Sequence, residues 1–215
     1  MSEAPFSAVL LAAGASSRMD GAFKQLLPLP SEGGEAPAVR ISAQALLDAG
    51  ARELVVVTGH RGREVADALA GMPLAVRHNP RHAEGQMRSV AAGLAALARP
   101  CSMVMVCLAD MALLRPGDFR ELARAFAGLL RDAILVPYHQ GVRGNPVVFA
   151  ASRVPEALGG RLNPGCRHLI EDHPDDVVRF EARHDRYTTD MDTPEDYARM
   201  RQRLSRRTGA GERAA

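Results

Sequence analysis

A loop near the start of the chain combines residue types that bind phosphate groups. The segment LAAGASSRMDGAFK, residues 11–24, belongs to and follows an apolar run. Small residues such as Gly14 let backbone N–H groups approach an anion closely, and the segment adds two serine hydroxyls and the positive charges of Arg18 and Lys24. This combination predicts a loop that binds a triphosphate. The structural alternative is a tight turn whose serines hydrogen-bond only to backbone groups.

The loop differs from two familiar phosphate-binding motifs. The pattern G-x-G-x-x-G would need glycine where the chain has Ser16, and G-x-x-x-x-G-K-[ST] would need glycine where it has Met19. Lys24 is the single lysine among 27 basic residues. A GC-rich coding bias explains the many arginines, whereas one retained lysine indicates a position that needs a compact ammonium rather than a planar guanidinium.

A second chemical feature is a set of aspartates that follow or lie on extended segments. Asp110 directly follows the apolar segment 103–109, and an unpaired carboxylate at the end of a buried strand has a high free-energy cost. Because Mg²⁺ prefers carboxylate, water and phosphate oxygens, we interpret Asp110 as a metal ligand rather than an N-cap. Asp190 and Asp192 alternate on another extended segment, and either could face the same metal. The residues from Pro194 onward are typical of the first turn of a helix, and either Asp192 or Thr193 could be its N-cap.

The histidines and cysteines predict no further metal or disulfide site. His78 and His82 are four residues apart, but Pro80 between them prevents a shared helical face, so we interpret them as polar loop groups. The cysteines are odd in number and lack C-x-x-C spacing, which argues against a disulfide scaffold or a cysteine zinc site and favours a reducing cytoplasm. They are Cys101, Cys107 and Cys166.

Length and composition are those of one globular domain. The chain has 215 residues, of which 47% are apolar and 24% charged, and its net charge is +2. This charge is too small to indicate a nucleic-acid or membrane surface. No apolar stretch approaches the roughly 18 residues that span a bilayer, and no basic region precedes the first apolar run, so neither a membrane span nor a signal peptide is expected. We predict one domain over residues 1–205 and a disordered tail over 206–215.

Apolar runs and helical periodicity alternate along the chain. The glycine- and proline-rich residues 28–37 are predicted as a loop. Apolar runs without polar alternation indicate an α/β fold with a mostly parallel sheet covered on both faces, whose ligands bind beyond the carboxyl ends of the strands. Strands are predicted at 6–13, 53–58, 74–77, 102–108, 133–137, 146–150 and 177–180, and helices at about 41–49, 63–70, 86–98, 116–130, 166–171 and 193–204.

These segments resemble the small nucleotidyltransferases related to the molybdenum cofactor enzymes, and most of all the molybdenum cofactor cytidylyltransferases. The loop L-A-A-G-x-S-x-R-M followed closely by a lysine is their signature, and it also opens sugar-phosphate and methylerythritol-phosphate nucleotidyltransferases. The resemblance spans about residues 6–200, with the motifs in the family order. The further motifs are V-V-T-G-H at 56–60, N-P-x-x-x-x-G at 79–85, S-V-x-x-G-L at 89–94, L-A-D-M at 108–111, R-G-N-P-V-V-F at 143–149 and D-x-D-T-P-E-D-Y at 190–197.

The resemblance implies a Rossmann-like three-layer α/β/α fold that binds a nucleoside triphosphate and Mg²⁺. Arg18 and Lys24 would contact the phosphates as catalytic residues, and Asp110 would bind Mg²⁺ together with Asp190 or Asp192. The implied nucleotide-binding residues are Leu11, Ala12, Ala13, Gly14, Ser16, Ser17, Asn79, Gly85 and Ser89. The implied acceptor-binding residues are Arg143 and Asn145.

The implied reaction is transfer of CMP from CTP to a phosphorylated acceptor, with molybdopterin favoured, and release of pyrophosphate. Members that use GTP tend to carry glycine at the position of Ala13, and the extra methyl group is expected to disfavour a purine. Three alternatives stay open: GTP as the donor, a sugar phosphate or methylerythritol phosphate as the acceptor, and a non-catalytic accessory protein for a molybdenum hydroxylase. Such a hydroxylase is also a candidate partner, whereas nucleic acid and membranes are not expected as partners.

Overall fold

A computed structural model describes residues 4–130, 132–159 and 166–211 of the chain. The strands are β1 (Phe6–Ala12), β2 (Pro28–Ser31), β3 (Gly34–Pro37), β4 (Ala51–Thr58), β5 (Ala75–His78), β6 (Met103–Leu108), β7 (Ile134–His139), β8 (Val142–Arg143), β9 (Val147–Ala150) and β10 (Val177–Glu181). The helices are α1 (Ala38–Asp48), α2 (Gly62–Ala68), α3 (Gln86–Leu94), α4 (Pro116–Ala127), α5 (Val154–Gly159), α6 (Cys166–Asp172) and α7 (Pro194–Gly211).

Eight strands form the central sheet. Their order is β10-β7-β9-β6-β1-β4-β5, and β8 pairs with β7 off this path. The central strand β1 runs parallel to both β4 and β6, and the pairs β4–β5 and β7–β10 are also parallel. Strand β9 is antiparallel to its neighbours β6 and β7. The sheet is therefore mixed but mostly parallel, which confirms the predicted α/β fold class.

Both faces of the sheet carry an apolar core. In β1, Ala8 and Leu10 belong to the core shared with α1, α2 and α4, whereas Val9 and Leu11 belong to the core shared with α3, α5 and α6. Every residue of β1 is buried because helices cover the strand from both sides. This three-layer packing explains why the strand sequence is continuously apolar rather than alternating.

Several segments differ from the sequence prediction: helix α5 was not predicted, and residues 28–37 and the end of α7 were predicted otherwise. Residues 28–37, predicted as a loop, form an antiparallel hairpin of β2 and β3. Leu29 in this hairpin is fully buried in a core that includes Met200 and Leu204 of α7, so tertiary packing overrides the weak strand propensity of proline and glycine. Helix α7 continues to Gly211, beyond the predicted end near 204, and residues 212–215 of the predicted tail lie outside the described residues.

A helix that spans a bilayer must be long and predominantly apolar. Within the described ranges, every helix is too short or too polar to do so.

Candidate functional site

The candidate site lies where the carboxyl ends of β1 and β6 meet. The chain passes from β1 to β4 on one side of the sheet, and β6 joins β1 on the other side. Such a change of direction opens a crevice at the carboxyl edge, where open α/β sheets bind ligands. Backbone hydrogen bonds hold the edge together: Ala109 N donates to Leu11 O at 3.1 Å, and His60 N donates to Ala13 O at 3.2 Å.

The loop after β1 is organised around Ser16. This residue adopts a left-handed conformation with a φ of 57°. Its Oγ accepts a hydrogen bond from the backbone N of Lys24 at 3.1 Å and donates one to Gln25 Oε1 at 3.0 Å. Met19 and Phe23 are buried and anchor the segment between them. The short polar side chain of serine therefore satisfies the loop internally and holds Lys24 at the crevice.

The ammonium group of Lys24 lies between two carboxylates. Its Nζ is 2.5 Å from Asp110 Oδ2 and 2.7 Å from Asp192 Oδ1. The side chains of Lys24, Asp110 and Asp192 are 12%, 15% and 23% exposed, respectively. Arg18 Nη2 donates to Asp192 Oδ2 at 2.7 Å, but the Arg18 side chain is 68% exposed. The structure thus brings together four residues that lie up to 174 positions apart in the sequence.

One carboxylate oxygen at this site has no protein partner. Asp110 Oδ1 is buried and accepts no hydrogen bond from the described residues. Buried carboxylate oxygens are normally paired, so this atom is available to a ligand. The helix that follows Asp110 begins at Pro116 with Arg115 as its N-cap, which excludes the alternative that Asp110 caps it.

Asp190 and Asp192 enter the site from the segment before α7. Met191 between them is fully buried, and both aspartates line the same cavity. The cap of α7 is formed by other residues, because Thr193 Oγ1 accepts from Asp196 N at 3.2 Å and Asp196 Oδ2 accepts from Thr193 N at 2.9 Å. Of the two predicted caps, Thr193 is therefore correct, and the carboxylate of Asp192 bonds to the site cations instead.

Burial and neighbouring charges shift the pKa values at the site. Burial by itself lowers the pKa of Lys24, but the charges and hydrogen bonds of Asp110 and Asp192 outweigh it and leave this pKa raised. Burial raises the pKa of Asp190, and the negative charges of Asp192 and Asp110 raise it further. Three carboxylates thus share the site with the cations of Lys24 and Arg18, an excess of negative charge that suits one more cation.

A cavity of about 330 Å³ contains most of the sequence-predicted residues. The predicted residues that line it are Leu11, Ala13, Gly14, Arg18, Lys24, Ser89, Asp110, Asp190 and Asp192. Ala12 packs in the core on the opposite face of β1, and Ser16 supports the loop from within. Ser17 is exposed and, like Asn79 and Gly85, does not line this cavity.

The structure gives Asn79 and Gly85 supporting positions. Asn79 is buried, and its Nδ2 donates to Ser89 Oγ at 3.0 Å while its Oδ1 accepts from Arg81 N at 2.9 Å. Gly85 precedes α3 with a φ of 114°, a conformation that favours glycine. Both residues therefore shape the segment that brings Ser89 to the cavity, and direct contact with a nucleotide stays a prediction for them.

Sequence reasoning missed four residues that line the cavity, namely Gln25, His82, Gln86 and Leu108. His82 Nδ1 lies 3.2 Å from the carbonyl oxygen of Asn79, and the other ring nitrogen, Nε2, takes no part in this contact. The ring sits against Gly59, where an added Cβ would lie 2.5 Å from the Cβ of His82. Gly59 of the V-V-T-G-H motif was the one signal for the position of His82, because a glycine can indicate that another residue packs closely against it. The sequence does not show which residue that is.

A second cavity, of about 500 Å³, adjoins the first. The two cavities share Leu11, Gln86 and Leu108 as walls. Arg143 and Asn145, predicted from the acceptor motif, line the second cavity together with Arg167 and His168 of α6. Asn145 is positioned by its backbone N, which donates to Tyr187 O at 2.9 Å, and Gly144 packs so closely that an added Cβ would lie 2.2 Å from Tyr187 O.

Another group of possible metal-binding side chains lies outside these cavities. Asp118, Glu121 and His184 place ligand atoms within 4.8 Å of one another. Both carboxylate oxygens of Asp118 accept hydrogen bonds from Arg186, at 2.6 and 2.8 Å. The guanidinium already neutralises this carboxylate, so the group is explained as a structural ion-pair cluster.

Residues 8–177 match the family model described as the MobA-like NTP transferase domain. The chain belongs to the MobA-like NTP transferase family. This match confirms the predicted resemblance to nucleotidyltransferases of the molybdenum cofactor enzymes, and it covers the phosphate loop, Asp110 and the Arg143 motif. Asp190 and Asp192 lie beyond the matched residues.

Individual relatives of this MobA-like chain extend the match to nearly its full length. It is 28% identical over 201 residues to the molybdenum cofactor cytidylyltransferase of Escherichia coli (strain K12), covering 92% of this chain and 96% of that protein. A nucleotidyl transferase from Methanothermobacter thermautotroptrophicus is 26% identical, with a TM-score of 0.76 over 93% of this chain and 97% of that one. The Rv0371c protein of Mycobacterium tuberculosis H37Rv is 23% identical, with a TM-score of 0.73 over 93% and 99%, and it has also been solved in complex with manganese.

Proposed function

We propose that this MobA-like nucleotidyltransferase transfers CMP from CTP to a phosphorylated acceptor of the molybdopterin type. The observation that carries the proposal is the meeting of Lys24, Asp110 and Asp192 at one rim of the sheet, beside the Gly14 loop. Cations and backbone amides on one side and carboxylates on the other suit a polyanion that is held together with a divalent cation. The E. coli relative, a molybdenum cofactor cytidylyltransferase, supports this choice of donor and acceptor.

The loop of residues 11–24 is the proposed triphosphate-binding element. Gly14 lines the cavity without a side chain, so backbone groups beside it are accessible to phosphate oxygens. Arg18 and Lys24 reach the same cavity and supply positive charge. The guanidinium of Arg18 is planar and can bind two phosphate oxygens at once, whereas the ammonium of Lys24 is a compact point charge. Together they can neutralise different oxygens of the triphosphate.

The residues present fit a Mg²⁺ ion. Asp110 offers a buried oxygen without a protein partner, and Asp192 and Asp190 add carboxylates in the same cavity. Hard oxygen ligands in small number, completed by water and phosphate, are what Mg²⁺ prefers. When bound, the ion would withdraw charge from the phosphates and favour departure of pyrophosphate. The manganese complex of the Mycobacterium tuberculosis relative is compatible with a divalent cation here.

The second cavity is the proposed acceptor site. It opens beside the nucleotide cavity through the shared wall of Leu11, Gln86 and Leu108, so an acceptor there would lie next to the α-phosphate. Arg143 lines this cavity near Glu171, on which its charge acts, and its guanidinium can bind an acceptor phosphate. Asn145 lines the same cavity and can donate and accept hydrogen bonds to a heterocycle.

The proposed chemistry requires no side-chain base. A phosphate oxygen of the acceptor, already anionic near neutral pH, forms a bond to the α-phosphorus of CTP. The bond from that phosphorus to the bridging oxygen breaks, and pyrophosphate leaves with the electron pair. The protein contributes alignment of the two cavities and the charges of Lys24 and Arg18 around the reacting phosphates. This agrees with the absence of a paired Ser–His or Cys–His group among the described residues that line the cavity.

Selection of CTP is attributed to Ala13. Its side chain is buried at the cavity wall, where it adds a methyl group next to the phosphate loop. Members that use GTP tend to carry glycine at this position, so the methyl group would leave less room for a purine. A single methyl group changes binding by about 1–3 kcal/mol in a close-fitting pocket, which gives a preference rather than absolute exclusion.

Pyrophosphate release with purified protein tests the proposal. CTP, GTP, ATP and UTP are each combined with Mg²⁺ and a molybdopterin-type phosphorylated pterin, a sugar phosphate or methylerythritol phosphate. The highest kcat/KM is expected for CTP with the pterin. A preference for GTP would refute the role of Ala13, and a preference for another acceptor would refute the pterin. Tight CTP binding without release from any combination would favour a nucleotide-binding accessory protein that serves a molybdenum hydroxylase.

A further inference from the structure

The position of the Lys24 ammonium has a consequence for how the site is loaded. Nζ lies 2.5 Å from Asp110 Oδ2 and 2.7 Å from Asp192 Oδ1, between the carboxylates that the proposed function assigns to a divalent cation. Ser16 holds the backbone of Lys24, and the side chain is largely buried. In this arrangement the protein's own ammonium is the shared counter-ion of the two carboxylates.

A divalent cation and this ammonium cannot both bind the same oxygens without strong repulsion. Like charges at contact distance repel, and the low exposure of the site reduces screening by water and salt. Asp110 Oδ1, which the ammonium does not contact, is buried and has no partner among the described residues. With Asp110 Oδ2 and Asp192 Oδ1 held by the ammonium, Asp110 Oδ1 and the carboxylate of Asp190 remain, a reduced set for a hard cation that needs several oxygen ligands. Lys24 must therefore move away before the carboxylates can act together.

We propose that Lys24 is a resident counter-ion that blocks the divalent-cation site until a nucleoside triphosphate binds and draws the ammonium onto its phosphates. This inference rests on the proposed function, because it takes the triphosphate cavity and the metal-binding carboxylates from it. The triphosphate supplies negative charge for Lys24 and further oxygen ligands for the cation. Cation and nucleotide consequently bind with strong positive coupling, and the cation alone binds weakly.

The charge at position 24 must move from the carboxylates to the phosphates, and this requirement favours lysine over arginine. A lysine side chain is a flexible stem with a single charged atom, so it can move between a carboxylate pair and a phosphate. An arginine would hold the carboxylates through a planar, multidentate fork and would be released less readily. A chain with 27 basic residues that uses its one lysine here is consistent with this need for a movable charge.

Binding of MnCl₂ alone, followed by the electron paramagnetic resonance signal of free Mn²⁺, tests the proposal without turnover. Wild-type protein, Lys24→Met, Lys24→Arg and the double variant Lys24→Met/Asp110→Asn are compared at neutral pH and low salt. Lys24→Met is expected to bind Mn²⁺ about tenfold or more tightly than wild type, because a neighbouring like charge has been removed. Lys24→Arg keeps the blocking charge and is expected to stay as weak as wild type. The double variant is expected to lose the gain.

Each outcome of the Mn²⁺-binding experiment supports or overturns the counter-ion role of Lys24. Equal or weaker Mn²⁺ binding by Lys24→Met, or tight binding by nucleotide-free wild type, would overturn the counter-ion role. A gain that survives Asp110→Asn would place the ion elsewhere and overturn it as well. Should Lys24→Met fail to fold, Lys24→Gln keeps a hydrogen-bonding side chain without the charge and replaces it. Absence of pyrophosphate release in wild type would instead count against the proposed function, so the two failures are distinguishable.

Discussion

At the scale of single residues, the site depends on a lysine that stays charged. Burial by itself lowers the pKa of Lys24, but Asp110 and Asp192 leave it raised, so the ammonium is protonated through the whole range in which proteins of this kind are assayed. A permanent positive charge at the rim of the sheet is what a reaction on phosphates requires. The same carboxylates therefore both position the charge and preserve it.

The first prediction concerns turnover. Lys24→Met removes the charge while keeping an unbranched side chain, and kcat is expected to fall about 100-fold or more, because a charge aimed at the reacting phosphates is lost. Steady-state pyrophosphate release with CTP measures the effect. Arg124→Met is the matched control, since Arg124 is exposed on α4, and its kcat is expected to equal that of wild type. A kcat for Lys24→Met near the wild-type value would remove this lysine from catalysis.

The sequence allowed prediction of the residues that follow strand ends. Lys24 and Asp110 were predicted as site residues because ligands of a parallel sheet bind at its carboxyl edge, and both line the cavity there. Gln25, His82 and Gln86 were missed, because their approach to the cavity depends on the conformation of loops rather than on a periodic pattern. Such loop conformations arise from long-range contacts, for example the packing of His82 against Gly59.

At the scale of elements, the close approach of α3 to the sheet positions Gln86 and Ser89, which line the proposed nucleotide cavity. Gly93 faces β1 and β4, and an added Cβ there would lie 2.2 Å from Val9 Cγ1 and 2.8 Å from Val57 Cγ2. Glycine is unfavourable inside a helix, so its presence reflects this contact. The sequence predicted α3 and the small residues along one of its faces, but it did not predict the hairpin of residues 28–37, whose strands are stabilised by packing on α7.

The second prediction concerns this helix. Gly93→Ala is expected to destabilise the protein by about 1–3 kcal/mol, because the added methyl group must displace either the helix or the buried valines. A displaced α3 also moves Ser89 and Gln86 at its start, so KM for CTP is expected to rise. Urea unfolding and steady-state kinetics measure the two effects.

A second glycine provides the control for this change. Gly117 lies in the first turn of α4, and an added Cβ there meets nothing within 4 Å. Gly117→Ala is therefore expected to leave stability unchanged or to raise it by less than about 1 kcal/mol, since alanine has the higher helix propensity. Equal effects of the two substitutions would refute the close packing of α3 as the reason for Gly93.

At the scale of the whole molecule, an ion-pair cluster fixes the segment that delivers Asp190 and Asp192. Arg186 donates to both carboxylate oxygens of Asp118 at 2.6 and 2.8 Å, and the hydroxyl of the fully buried Tyr187 donates to Asp118 O at 2.9 Å. These bonds connect α4 to the segment before α7. These bonds could not be predicted from the sequence, because the partners lie 68 and 69 positions apart and belong to no motif.

The third prediction concerns Asp118 and its pH dependence. Burial by itself raises the pKa of Asp118, but hydrogen bonds from Arg186 and from the backbone of Arg115 outweigh it and leave the pKa below its ordinary value of 3.8. A carboxyl with a lowered pKa stabilises the folded state above that ordinary value, and the contribution is lost as the pH falls through the folded pKa. Asp118→Asn is expected to cost about 3 kcal/mol near pH 7, because it leaves a largely buried guanidinium without its counter-charge.

The difference in unfolding free energy between wild type and Asp118→Asn should consequently be constant from pH 7 to about 5 and shrink below about pH 4, as the wild-type carboxyl takes up its proton. Urea unfolding across this range measures it. Asp185→Asn is the control on the same segment, because its pair with Arg203 is more exposed, and it is expected to cost less than about 1 kcal/mol. If both variants lost the same stability, or if the Asp118→Asn deficit did not change with pH, the ion pair would not be what holds the segment.

The same variants differ in their expected kinetics. Because Asp190 and Asp192 follow Arg186 closely, loss of the ion pair in Asp118→Asn should also raise KM for CTP, whereas Asp185→Asn should leave KM unchanged.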